Sequence, residues 1–241
     1  MRSAKLLTTG LATVSAVFVT ASASAQILLG DTFAINFTES ENTVGGNWNE
    51  LVTTLNAFID ERLLLSDLRT FADGLSTGVS LSITAPVDTF GLGGREEPPS
   101  ATRAFPVSGT IPDAAQRRLT FHTSAGQQFV FAGLDDSLTY NLSILSANTG
   151  GDRNAHDWIA NPGPDQVTIS VDPNDTLVHT FSGLTTDGFG NLVLQSTTTD
   201  SGGDAQHLNA MELTAIPEPA TYAALAGLLA LGLVVLRRRR C

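Results

Sequence analysis

Alternation of apolar and polar residues over short stretches recurs along most of the 241-residue chain and constrains its fold more than any other feature. Successive side chains of a β-strand point to opposite faces of a sheet, so a period of two is typical of strands buried on one face. The alternating stretches are residues 33–37, 79–83, 119–121, 138–144, 167–171 and 209–213, and a short apolar run lies at 192–194. Turn-forming sequences separate them, at residues 133–136, 172–175, 187–188 and 201–204. The pattern predicts an all-β fold, an antiparallel β-sandwich in which two Greek keys form a jelly roll.

Two regions depart from this pattern. Residues 48–68 are rich in leucine, and Leu51, Leu55 and Leu63 are close to helical spacing. We predict a short helix there, with a pair of strands as the alternative. Residues 91–100 combine glycines, two glutamates and two prolines, which predicts a polar loop within the domain rather than a linker between domains.

The first 25 residues are typical of a secretory signal peptide. Arg2 and Lys5 precede an apolar stretch at residues 6–20, and the segment ends in small residues that include Ala23 and Ala25. Because Ala-x-Ala is a usual cleavage sequence, we predict cleavage after Ala25 and export through the inner membrane by the secretion machinery.

The end of the chain contains three features in a fixed order. The first is a stiff, charged tripeptide, Pro217, Glu218 and Pro219. The second is an uncharged run of 17 residues, 220–236, and the third is a basic cluster, Arg237, Arg238, Arg239 and Arg240. A spanning helix needs about 17–25 residues and arginines favour the cytoplasmic side, so the run predicts a transmembrane helix. A buried C-terminal helix is the alternative, and we assign no role to Cys241.

This order of tripeptide, apolar helix and arginine cluster resembles the PEP-CTERM sorting signal, a tail found on exported proteins of Gram-negative bacteria that make exopolysaccharide. The resemblance implies recognition by a membrane-embedded exosortase, cleavage near residues 217–219, and loss of the helix and arginines. The protein is therefore expected to be anchored transiently in the inner membrane and then to reach the cell surface or extracellular matrix.

Residues 26–214 have the length of one domain, and residues 215–241 form the tail. The domain contains no lysine and no cysteine. It has seven arginines and 23 acidic residues, so its net charge is −16. Such a charge repels nucleic acid and anionic membrane surfaces. Without a disulfide, the fold must be held together by its apolar core, which a chain of this length can form.

Four short sequences of the domain resemble exported β-sandwich proteins that carry the same kind of tail. They are residues 46–49 (GNWN), 76–81 (STGVSL), 133–140 (GLDDSLTY) and 207–213 (HLNAMEL). Those domains are similar to galactose-binding-like jelly rolls, so the resemblance implies the same fold for this chain.

The densest polar cluster lies just before the second of the two tryptophans. We predict a ligand-binding site there, formed by Asp152, Arg153, Asn154, Asp157 and Trp158. The polar side chains would exchange hydrogen bonds with sugar hydroxyls, and the indole would supply an apolar face. A metal site or acid/base pair that includes His156 is one alternative. A solvated loop followed by a core tryptophan is the other, and Trp48 has the same two interpretations.

Other candidate sites are weaker. Residues 74–78 match G-x-S-x-G, but a predicted strand follows the serine where a nucleophile elbow needs a helix, so we predict a turn. Asp172, Asn174 and Asp175 could hold a structural calcium ion or form an ordinary Asp-Pro turn. No catalytic residue or cofactor is predicted. The expected function is a non-catalytic, carbohydrate- or exopolysaccharide-associated protein, with a purely structural surface protein and a polysaccharide or ester hydrolase as alternatives.

Overall fold

The computed structural model describes residues 27–39, 44–53, 63–84, 91–94, 103–122, 126–146, 156–171, 177–198, 206–217, 227, 230 and 231. The predicted signal peptide, the segment 172–175 and most of the predicted sorting tail lie outside these residues. In the tail, Gly227, Ala230 and Leu231 are helical. Within the described part of the chain, no helix has the length and apolar character that crossing a membrane requires.

Apart from the three helical residues of the tail, the described residues form sixteen strands and one short helix, which confirms the all-β class predicted from the alternation. The strands of the first half are β1 (Thr32–Glu39), β2 (Asn49–Thr53), β3 (Leu63–Leu65), β4 (Ser80–Thr84), β5 (Gly91–Gly94), β6 (Ala104–Phe105), β7 (Gly109–Thr110) and β8 (Arg118–His122), and the helix is α1 (Asp113–Arg117). The remaining strands are β9 (Gln128–Ala132), β10 (Thr139–Leu145), β11 (His156–Ala160), β12 (Val167–Val171), β13 (Val178–Leu184), β14 (Leu192–Thr198), β15 (Gln206–Leu208) and β16 (Ala210–Ile216).

Two large sheets form the sandwich. Sheet A has the strand order β13-β10-β16-β1-β2, and sheet B has the order β12-β11-β14-β9-β4-β3. Pairing is antiparallel in both sheets except between β1 and β2, which are parallel. The predicted antiparallel sandwich is therefore confirmed, with one parallel pair at an edge of sheet A.

The core lies between the two sheets and follows the alternation of the strands. Phe33, Ile35 and Phe37 of β1 are fully buried, and the ring of Phe37 meets that of Phe129 from sheet B edge-on, with 5.6 Å between centroids. Burying each such side chain contributes about 1.5–3 kcal/mol, which allows a chain with no disulfide in its domain to hold this fold.

Sheet A is covered on its outer face as well. The β6–β7 hairpin, α1 and a three-stranded sheet of order β15-β8-β5 lie on that side, and Phe105 and Ile111 pack there against Leu145 and Ala210. Glu212 of β16 fixes the hairpin, since its carboxylate accepts hydrogen bonds from the backbone N–H groups of residues 107 (3.1 Å) and 108 (2.6 Å). Side chains on both faces of this central strand are therefore buried.

The helix predicted within residues 48–68 is wrong wherever the structure describes that stretch. β2 and β3 occupy its two ends, and residues 54–62 lie outside the described part. The two strands do not pair with each other, because β2 pairs with β1 and β3 pairs with β4. Leu51 lies beside Phe37 in this register and is buried, so tertiary pairing overrides the approximate helical spacing of the leucines.

Two further boundaries differ from prediction. Residues 91–94, expected to begin a polar loop, form β5 and pair with β8, because glycine backbones supply ladder hydrogen bonds without any side-chain pattern. The final strand continues to Ile216, beyond the alternating stretch at 209–213. Ala215 is buried and opposite Tyr140.

Candidate functional site

Five turns meet at one end of the sandwich, which we call the terminal end because Gly30 and Ile216 lie there. Its turns are residues 28–31, 67–78, 133–138, 161–166 and 185–191. The register places them together. Tyr140 at the start of β10 is opposite Leu184 at the end of β13, and Thr139 is opposite Ile216 at the end of β16. The opposite end holds the start of β11 and the end of β10.

The turn at residues 185–191, which we call the Phe189 turn, presents the most exposed large apolar side chain among the described residues. Phe189 is 86% exposed. Asp187 holds the backbone on either side of it: Oδ1 accepts hydrogen bonds from the N–H groups of Phe189 (2.8 Å) and Asn191 (3.0 Å), and Oδ2 accepts one from Asn191 Nδ2 (2.9 Å). The side-chain bond from Asn191 and then the backbone bonds lower the pKa of Asp187, so its carboxylate is charged at neutral pH.

The Phe189 turn is also fixed to the neighbouring turn at residues 133–138. Asp136 Oδ1 accepts hydrogen bonds from Gly190 N–H (2.8 Å) and from the Thr186 hydroxyl, and Leu134 N–H donates to the Gly190 carbonyl (3.0 Å). Gly190 has a φ of +74°, and a Cβ there would lie 2.7 Å from the Leu134 carbonyl oxygen. Only glycine fits this close approach, which sets the position of Phe189 relative to the sandwich.

The neighbouring turn is anchored to the core by Tyr140. The Tyr140 hydroxyl donates to the Asp135 carbonyl (3.0 Å) and accepts from Asp135 N–H (2.9 Å), and its ring is fully buried. Burial raises the pKa of Tyr140 to about 12. Asp135 Oδ1 accepts hydrogen bonds from the Ser137 hydroxyl (2.7 Å) and N–H (2.8 Å), which lower the pKa of Asp135. Hydrogen bonds therefore fix the turn at residues 133–138 both to the core and to the Phe189 turn.

The two turns together combine an apolar ring in solvent with charged hydrogen-bond acceptors. They contain three aspartates, 135, 136 and 187, and no lysine or arginine. An aromatic face beside oxygen acceptors can stack on the C–H face of a sugar ring while accepting hydrogen bonds from its hydroxyls. No sequence pattern pointed to this turn, because a phenylalanine in a turn carries no periodic signal. Its position between Gly188 and Gly190, after Asp187, is the signal that could have found it.

The described part of the predicted ligand site belongs to β11, which starts at the opposite end, and the structure does not support the role given there to Trp158. Trp158 is fully buried, with 5.9 Å between its ring centroid and that of Phe129, so it has no face to offer to a sugar. In β11 the side chains of His156, Trp158 and Ala160 point into the core by alternation. Asp157 is half-buried and accepts a hydrogen bond from the Ser170 hydroxyl of β12. The other three predicted residues, Asp152, Arg153 and Asn154, lie outside the described residues.

A serine and a histidine do meet beside Trp158. Ser146 Oγ lies 3.1 Å from His156 Nε2, a distance that a nucleophile and its base would have. Both side chains are buried, however, and Ser146 Oγ also lies 3.4 Å from the indole Nε1–H, which donates to it. The geometry is that of buried polar groups satisfying one another in the core.

The remaining predicted motifs are structural in the described part of the chain. At residues 74–78, Ser76 donates to Asp67 and Gly78 N–H donates to the same carboxylate (2.9 Å), which forms a turn ahead of β4 as predicted. The bond from Ser76 lowers the pKa of Asp67. Trp48 is half-buried against Phe71 and Phe105. Among the described residues, no group of three His, Cys, Asp or Glu side chains could hold a metal ion.

Comparison with known proteins gives only partial likenesses. No protein-family profile matches the chain, and no curated protein matches it. A structure of the plant receptor-like kinase ANX2 aligns with a TM-score of 0.35 and 11% identity over 61% of this chain and 52% of its own. The ANXUR2 extracellular domain from Arabidopsis thaliana aligns with a TM-score of 0.34 and 12% identity, over 61% of this chain and 53% of its own. TmCBM61 in complex with β-1,4-galactotriose aligns with a TM-score of 0.32 and 10% identity, over 55% of this chain and 86% of its own. The aligned part spans about half of the two plant chains, and these values assign the protein to no family.

Proposed function

We propose that this chain is an exported, non-catalytic β-sandwich that binds a neutral carbohydrate through the Phe189 turn. The observation that carries the proposal is the combination of Phe189, 86% exposed, with a backbone held by hydrogen bonds on both sides of the ring. Single exposed apolar residues are common on protein surfaces, and an aromatic ring on a mobile loop would mean little. A ring whose position is fixed in advance loses little conformational entropy when a ligand covers it.

The charge of the terminal end favours a neutral glycan. The carboxylates of Asp136 and Asp187 accept hydrogen bonds from the backbone of the turn that carries the ring. The domain as a whole carries a net charge of −16. A polyanionic glycan would be repelled by this field, whereas the hydroxyls of a neutral sugar can donate to carboxylate oxygens.

Export and sorting complete the proposal. The Ala-x-Ala sequence at Ala23–Ala25 and the tripeptide, apolar run and arginines at the other end support a precursor that crosses the inner membrane, is anchored there, and is released by an exosortase to the surface or matrix. The buried Ser146–His156 contact supports a role without catalysis, because a substrate needs access to the nucleophile.

Glycan binding is tested on an array of neutral and uronic-acid oligosaccharides with the processed protein. Wild-type protein should bind neutral glycans, and Phe189→Ala should weaken binding at least tenfold, which corresponds to about 1.4 kcal/mol. The thermal midpoint of Phe189→Ala should stay near that of wild type, since substitutions at exposed positions usually change stability by less than about 0.5 kcal/mol. Leu177→Ala is the matched control, because Leu177 is 64% exposed just before β13 at the opposite end. Equal binding by Phe189→Ala and wild type would contradict the proposal.

Sorting is tested separately by replacing Pro217, Glu218 and Pro219 with alanine. The apolar run alone explains membrane retention, whereas the tripeptide has no role in the membrane, so the variant should be exported but remain unprocessed. Immunoblots of membrane and medium fractions measure this. Normal release of mature-size protein from the variant would refute the proposed motif.

A further inference from the structure

The sandwich begins and ends at the terminal end, where the Phe189 turn also lies. Gly30 N–H donates to the Ala215 carbonyl (3.0 Å), and Ala215 N–H donates to the Asp31 carbonyl (2.9 Å). Ile216 is the last residue of β16 and lies opposite Thr139, whose hydroxyl donates to its carbonyl (3.3 Å). The backbone is therefore fixed to the sandwich as far as Ile216, the residue that precedes Pro217.

Very little chain separates this fixed point from the apolar run. Only residues 217–219 lie between Ile216 and Ala220, and two of the three are prolines. At about 3.3–3.6 Å per residue, the four steps from Ile216 to Ala220 span at most about 14 Å. The headgroup region of a bilayer takes up about 5–7 Å of that length on each side. When the run is in a membrane, the terminal end therefore lies within about 10 Å of the lipid surface.

We infer that the membrane covers the Phe189 turn in the anchored precursor, and that cleavage near residues 217–219 uncovers it. The inference rests on the proposed function, since it names the regulation of the same site, and on the predicted insertion of residues 220–236. The terminal end faces the membrane because Ile216 is fixed there, and a polymeric glycan cannot enter so narrow a space. Processing then both releases the protein and makes it competent to bind.

Chemical labelling tests the covering without any glycan. The full chain is placed in phosphatidylcholine nanodiscs, in a Cys241→Ser background, either with its native spacer or with a Gly/Ser insertion of about 20 residues after Ile216, which has an r.m.s. length of about 25 Å. Phe189→Cys should react with a polymer-linked maleimide several-fold more slowly in the native-spacer chain than in the inserted one. Leu177→Cys, at the opposite end, is the matched control and should react at the same rate in both. Equal rates for Phe189→Cys, or a chain that does not enter nanodiscs, would overturn the inference.

Glycan binding by the same nanodiscs separates the two proposals. The chain with native Phe189 and the long spacer should bind the neutral oligosaccharides that processed protein binds, and the native-spacer chain should not. If both bind equally, the membrane does not cover the site, and the proposed function stands alone. Labelling could differ between the two spacers while neither the long-spacer chain nor processed protein binds any glycan. That result would overturn the proposed function and, with it, the regulation of binding.

Discussion

Trp158 and Phe189 are two aromatic residues next to polar sequence, and the fold treats them in opposite ways. Trp158 belongs to a strand in which every second residue is buried, and its ring is in the core. Phe189 sits in a turn between Gly188 and Gly190, and its ring is in solvent. The backbone pattern around an aromatic residue, and not the polarity of its sequence neighbours, therefore decides whether its ring is available to a ligand.

The polar groups near the two rings differ in the same way. Around Trp158, side chains at Ser146 and His156 hydrogen-bond to each other inside the protein. Around Phe189, carboxylates bind backbone N–H groups of the turn and leave the ring free. One set of polar groups completes the core, and the other set positions an exposed group.

The largest effect is expected from Trp158→Ala. Removing a fully buried indole should lower the free energy of unfolding by about 3–5 kcal/mol, because the transfer energy is lost and a cavity remains. Urea denaturation of processed protein measures this, with Trp158→Phe as the conservative control. If Trp158→Ala lowered the free energy of unfolding by less than about 1 kcal/mol, Trp158 would behave like an exposed residue, and the contrast with Phe189 would be wrong.

The next effect separates two glycines of the Phe189 turn. Gly188 and Gly190 both have positive φ, but a Cβ at Gly188 would meet nothing within 4 Å, whereas one at Gly190 would strike the Leu134 carbonyl. Gly188→Ala should cost about 1–2 kcal/mol for the left-handed backbone alone. Gly190→Ala should cost a further 1–3 kcal/mol, roughly the price of overpacking, and should weaken glycan binding by displacing Phe189. Equal thermal midpoints for the two variants would mean that the contact with Leu134 does not fix the turn.

Tyr140→Phe should produce a smaller loss. Two hydrogen bonds to the Asp135 backbone disappear, which should lower stability by about 1–2 kcal/mol at neutral pH. Because the folded pKa of about 12 lies above the unfolded value near 10, the contribution of the neutral phenol is complete below pH 10 and is lost as pH rises toward 12. Tyr140 is the only tyrosine of residues 26–214, so absorbance of processed protein reports its ionisation directly. A phenol that titrates near pH 10 in folded protein would contradict this account.

The smallest effect concerns acid. The pKa of Asp187 is lowered in the folded state, so its hold on the Phe189 turn is complete above about pH 4, the ordinary aspartate range, and is lost as pH falls through the folded value. The amide NMR signals of Phe189 and Asn191 should therefore stay constant from neutral pH to about pH 5 and shift with a midpoint below 3.8. Asp187→Asn should remove this transition. A midpoint above 3.8 would mean that these hydrogen bonds do not form in solution.

The alternation of residues was sufficient to predict the sandwich but not every strand in it. Residues 33–37 and 138–144 alternate because one face of each strand meets the core; the first stretch lies within β1, and the second lies within β10 except for its first residue. β2 and β5 were missed for opposite reasons. Leu51 belongs to a leucine-rich stretch that also fits a helix, and the glycines of β5 carry no side-chain pattern at all. In both cases the pairing partner, distant in sequence, determines the structure.

The candidate site could be predicted only in part. The turn at residues 187–188 was identified from its Asp-Gly sequence, and that turn does place Phe189 in solvent. Its attachment to Asp136 and Leu134 depends on contacts across about fifty residues of chain, which no local pattern encodes. The burial of Trp158, in contrast, follows from the alternation of β11, and adjacency to polar residues concealed it.

The position of β16 in the middle of sheet A has a consequence for the order in which the protein can assemble. β16 joins β1 to β10, and its Thr214 shares a 3.1 Å hydrogen bond with Thr32, 182 residues earlier. A chain that emerges N-terminus first cannot close this sheet until its last strand has appeared, and pairing across such separations is slow. The apolar run follows directly after that strand. Under the proposed insertion of residues 220–236, anchoring and the closing of sheet A occur at the same stage of synthesis.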